Sequence, residues 1–161
     1  MTTFSLHWLI LTLVLLIILS AIFSAAEIGM MSINRYRLRH LAKINKRSAK
    51  RVVNLLQRPD RLLGTILLGN TFANILASAV ATVIAVHYMG EYGVWIATIA
   101  LTLIILIFAE TLPKTFAALY PEKVAFPLSG FLAVLLKKSW EYVPMSIFNK
   151  SRAVLYMFLS P

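Results

Sequence analysis

The sequence contains no cysteine, which removes disulfides, thiolate metal ligands and cysteine nucleophiles at a stroke. Aspartate is nearly absent as well: Asp60 stands alone in a basic stretch, so a Ser-His-Asp arrangement has no support. No Asp, Glu, Lys or Arg precedes Glu27. The histidines His7, His40 and His87 share no ligand spacing and read as interfacial or solvated. No nucleophile and base can be paired from these residues, so the chain is not expected to be an enzyme. Internal repeats and low-complexity segments are also missing.

What is present is apolar. Of 161 residues, 60% are hydrophobic, and the mean hydropathy of +0.80 is too high for an ordinary soluble domain of this length. Residues 9–26, 62–90 and 92–109 are charge-free runs, each long enough to cross a hydrocarbon core of ~30 Å as a helix. The last two are separated only by the polar tip at 89–93, whose two glycines suit a tight turn. The first run has no basic residue ahead of it and too long an apolar stretch for a cleaved signal peptide, so it reads as a retained helix.

Lys and Arg total 16 against 6 acidic residues, a net charge of +10. Arg35, Arg37, Arg39, Lys43, Lys46, Arg47, Lys50, Arg51, Arg58 and Arg61 all lie between the first and second runs. The positive-inside rule makes that loop cytoplasmic and puts the N-terminus outside. The basic excess therefore orients the chain and meets anionic lipid headgroups; it is not read as a nucleic-acid site. Within the loop Tyr36, Leu38, Leu41, Ile44, Val52, Val53, Leu55 and Leu56 recur at helical spacing, and the break at 57–61 contains Pro59 and the capping residue Asp60. One or two amphipathic helices on the cytoplasmic face follow.

After Lys114 the pattern is less decisive. Residues 124–136 are charge-free but short, and contain Pro127 and Gly130. A fourth span would carry Lys137, Lys138, Lys150 and Arg152 outside, against the positive-inside rule. The expected architecture is thus an all-α membrane protein with three transmembrane helices, at about 8–31, 62–88 and 93–113. Amphipathic juxtamembrane helices occupy about 34–58 and 115–158, the latter a belt helix after the third span, in-plane or re-entrant at 115–136. Trp140, Tyr142, Tyr156 and Phe158 suit an interfacial aromatic belt, and the C-terminus is placed in the cytoplasm.

Polar groups at membrane depth are expensive and need partners. Ser20 and Ser24 lie one turn apart, with Glu27 three residues further on; Asn70 and Asn74 are spaced i, i+4 beside Gly69; Glu110 is followed by Pro113 and Lys114. Asparagine carbonyls, serine hydroxyls and one carboxylate make an all-oxygen set, suited to a hard cation such as magnesium, calcium or manganese. Pro113 donates no amide proton and so frees the carbonyl of Ala109, and Gly69 permits close backbone approach. The competing reading is packing: small residues, Ser78 among them, line helix contacts, asparagines bond across helices, and Glu110 pairs with Lys114 at i+4.

The stretches FSAAEIGMMS (23–32), LLGNTFANI (67–75) and FAETLPKTFA (108–117), in that order, resemble the transmembrane domain of the CNNM/CorC family of magnesium and cobalt efflux proteins, most of all its bacterial CorB/CorC branch. The resemblance implies a homodimer in the bacterial inner membrane that exports Mg2+, with Na+ as a possible coupling ion. By motif it assigns Ser24, Asn70, Asn74 and Glu110 as metal-coordinating positions, with Ser20 and the carbonyl of Gly69 beside them, and leaves Glu27, Pro113 and Lys114 structural roles. Family members continue into a CBS-domain pair that binds ATP and then a further small domain. Neither lies within these residues, so ATP would act only through domains missing here. Lys114 then stands as a cytoplasmic anchor at the mouth of the site.

Overall fold

The computed structural model describes residues 3–44 and 46–142, and all of its regular elements are helices. They are α1 (Thr3–Ser32), α2 (Arg35–Lys43), α3 (Arg47–Leu55), α4 (Pro59–Met89), α5 (Tyr92–Ile104), a π-helical segment (Ile105–Thr111), α6 (Leu112–Leu119) and α7 (Pro121–Tyr142). Three stretches are long and apolar enough to span a membrane: Leu6–Ser32, Pro59–Met89 and Tyr92–Leu119. The part of the expected belt helix beyond residue 142 lies outside the described residues, as do the side chains of Trp140, Tyr142, Tyr156 and Phe158.

The chain reverses between α4 and α5 at Gly90, whose φ of +63° favours glycine. Gly93 closes the same hairpin, because a side chain there would collide with the backbone carbonyl of Ala85. At the opposite, basic end, Asn34 caps α2 by accepting from the amides of Tyr36 and Arg37 at 3.0 and 3.2 Å. Helix α3 buries Ala49 and Val52 and presents its basic residues outward, the amphipathic habit of a helix lying along a surface. Phe23, Met30, Ile33, Leu38, Val52, Leu62 and Leu132 meet in one buried core under the spans. Arg37 Nε, 2.8 Å from Glu122 Oε1, ties α2 to α7, and Lys46 sits over the Phe126 ring.

The third span departs from the sequence reading. Pro113 does not end it; the helix continues to Leu119 and breaks at Tyr120, just before Pro121. The π-helical segment explains how. Leu112 donates to the carbonyl of Ile107, five residues back, and Pro113 then falls in the first turn of α6, where its fixed φ fits the helix and its ring meets no tight α-turn behind it.

Candidate functional site

The polar residues of the three spans converge where α1, α4 and the π-helical segment pack together. Ser20 Oγ donates to Asn70 Oδ1 at 2.7 Å, joining α1 to α4. Asn74 Nδ2, one turn along α4, donates to Glu110 Oε1 at 3.4 Å, joining α4 to the third span. Ser20 and Ser24 are fully buried, Asn70 nearly so, and Asn74 and Glu110 half-buried.

Two oxygens in this group are left over. Among the described residues, the buried side-chain polar atoms without a hydrogen-bond partner are Ser24 Oγ and Asn74 Oδ1. An unpaired polar atom away from water costs ~1–3 kcal/mol. Both belong to residues singled out from the sequence, and both can serve as ligands to a cation. Backbone amides are short in the same segment of the third span. Leu112 uses Ile107, and the α-helical pattern resumes with α6, so the carbonyls of Phe108, Ala109 and Glu110 face one remaining donor, the Lys114 amide, since Pro113 has none. The proline alone would free Ala109; the wider π turn frees a second carbonyl beside the carboxylate.

Lys114 does not pair with Glu110. Its Nζ lies 3.3 Å from Glu27 Oε2 on α1. The i+4 expectation assumed a regular α-helix, and the π-helical segment shifts the angular relation between positions 110 and 114. The outcome is a cation and anion joined across α1 and α6 one turn from Ser24 and from Glu110, leaving Glu110 with no basic partner among the described residues.

Gly69 has a packing function. A Cβ there would stand 2.5 Å from the Phe23 ring, which fills the space between α1 and α4 next to Ser24 and Asn70. No cluster of three His, Cys, Asp or Glu side chains occurs among the described residues, so Glu110 supplies the formal charge of this site. Sequence reasoning left one set of residues unassigned: Glu110 also lines a groove of about 240 Å³ with Ser78, Thr98 and Thr102, alongside the aliphatic Leu101, Ile105 and Leu106. The signal was legible, because Ser78 continues the Asn70, Asn74 spacing by one more turn and the two threonines repeat at i, i+4.

The family described as the Cyclin M (CNNM) transmembrane N-terminal domain matches residues 10–154. The UPF0053 inner membrane protein YfjD of Escherichia coli is 59% identical over 117 residues, covering 73% of this chain and 27% of that protein. A UPF0053 protein of Haemophilus influenzae is 45% identical over 152 residues, 94% of this chain and 36% of its own length. The polyamine export protein of the same organism is 29% identical over 136 residues, 76% of this chain and 32% of its own. The chain thus spans about a quarter to a third of the length of these relatives.

Proposed function

The chain belongs to the CNNM family, as a membrane-spanning domain of it, and from that premise we propose that it is the ion-carrying part of a magnesium exporter. The observation that carries this reading is the pair of orphaned buried oxygens, Ser24 Oγ on α1 and Asn74 Oδ1 on α4, the second on the side chain that bonds the Glu110 carboxylate. Magnesium wants about six oxygens at ~2.0–2.1 Å and gives up water reluctantly, so a site that strips it must offer nearly a full oxygen shell. Ser24, Asn74, Asn70, Glu110 and the freed carbonyls supply such a shell. Ser20 holds the Asn70 amide in place, and the single carboxylate keeps binding weak enough to permit release.

Cations enter in this scheme from the basic side, past the Glu27–Lys114 pair, and leave at the Gly90 hairpin, with the N-terminus outside in a bacterial inner membrane. Sodium moving inward is the proposed driving ion, and a homodimer the proposed working unit. A polyamine is a poorer fit, because a flexible polycation needs several carboxylates in line and Glu27 is already engaged by Lys114. The rival reading is a membrane-embedded sensor or scaffold that binds magnesium without moving it.

Efflux from magnesium-loaded proteoliposomes separates these readings. The parent should release Mg2+, and Glu110→Ala and Asn70→Ala should each slow release by roughly tenfold or more, a barrier change of at least ~1.4 kcal/mol. Either variant transporting at the parent rate sinks the assignment. Magnesium-dependent thermal stabilisation without flux in the parent establishes the sensor, and stabilisation by sodium or spermidine that magnesium leaves unchanged replaces the cargo.

A further inference from the structure

We propose that the groove lined by Ser78, Thr98, Thr102 and Glu110 is a water-filled lane that takes the cation, in hydrated form, from the site toward the hairpin end of the molecule. This inference rests on the cation-transport reading and names the outer half of the route. The groove lies between α4 and the third span, and Glu110 is common to it and to the site. A carboxylate at membrane depth is kept where it meets water or a partner. Among the described residues Glu110 has one side-chain hydrogen bond, a long one of 3.4 Å from Asn74, and that leaves most of its acceptor capacity for water. The volume of about 240 Å³ leaves room for several waters.

Leu101, Ile105 and Leu106 make up the apolar part of the lining, and its polar part suits a hydrated ion better than a bare one. Thr98 Oγ1 donates to the carbonyl of Val94 at 2.8 Å, and Thr102 Oγ1 to that of Thr98 at 2.7 Å. With their protons committed to the helix, both hydroxyls have only lone pairs to offer. Water bound to a divalent cation turns its hydrogens outward, so a row of acceptors is the complementary surface. The ladder on α4 also turns toward this lane. Steps of four residues advance ~40° around a helix, and the contacts follow: Asn70 meets α1 through Ser20, Asn74 meets Glu110, and Ser78 faces the threonines of α5. Thr98 lies six residues from the start of α5, about 9 Å from the hairpin end.

Because the chain has no cysteine, single cysteines can report on water in the lane. In lipid nanodiscs, open to reagent on both faces, Thr98→Cys and Thr102→Cys should react with a cationic methanethiosulfonate. Ile99→Cys and Leu103→Cys, exposed on other faces of α5, should not, and equal or absent reaction at all four positions overturns the lane. The near-isosteric triple variant Ser78→Ala, Thr98→Val, Thr102→Val should lower Mg2+ flux by roughly tenfold while keeping the parent's magnesium-dependent thermal stabilisation. Parent-rate flux in that variant also overturns the proposal. A parent that moves no magnesium fails the transport reading instead, and the labelling contrast still decides whether the groove is wet.

Discussion

The two ends of the helical bundle are built differently. At the basic end α1, α4 and α7 are clamped by α2 and α3, and Met30, Leu62, Val52 and Leu132 are almost wholly buried. Toward the hairpin end α1 buries nothing between residues 6 and 19, and α5 buries only Gly93 and Leu101. Leu15, Val14 and Trp95 are open along that half. The polar site sits at the boundary between the two, with Ser20 and Ser24 on the packed side and the threonine-lined groove on the other. On the proposed reading a cation there would be held by the packed half and adjoin the half whose helices have fewer neighbours, the part of a structure expected to rearrange most cheaply.

Three substitutions test that contrast, each read by thermal or denaturant unfolding of the protein in lipid nanodiscs. Met30→Ala, at 1% exposure, removes a buried side chain from the clamped end and should cost ~2–5 kcal/mol. Gly69→Ala forces a methyl into the Phe23 ring, itself confined against Phe131 with ring centroids 5.9 Å apart. The expected loss is ~1–3 kcal/mol. Much of it should return in the double variant with Phe23→Leu, whereas additive losses would show that the ring is not the obstacle. Leu15→Ala, at 56% exposure, should change stability by no more than ~0.5 kcal/mol. A loss equal to that of Met30→Ala would mean that the hairpin end is packed against something in the assembled protein, and the contrast drawn from one chain would fall.

Much of this arrangement was legible in the sequence, since charge-free runs of ~20 residues have few alternatives to membrane-spanning helices. The convergence of Ser20 with Asn70 and of Asn74 with Glu110 followed from asking what polar groups could do at that depth. Other features were hidden for physical reasons. Lys114 has a carboxylate at i−4 and another on α1, and the winner is set by the turn between them, which same-helix spacing cannot supply. Pro113 announces a disturbed helix without saying whether the chain will break, kink or widen. That the absent side chain of Gly69 makes room for the Phe23 ring was also hidden, because the ring lies 46 positions away and belongs to no local pattern. Thr98 and Thr102 were overlooked because a threonine bonded to its own helix passes easily for an apolar residue.

The π-helical segment has a consequence that concerns phase. It spends one residue more than an α-helix would on the same turn, and one residue is worth about 100° of rotation. Everything after Thr111 is therefore out of step with everything before Ile105, and Thr102 and Lys114, on one continuous helix, are free to address different neighbours: the groove beside α4 and the carboxylate on α1. The spare residue works as a built-in offset. Deleting it would leave a more regular helix whose two halves could no longer both be in register with the rest of the molecule.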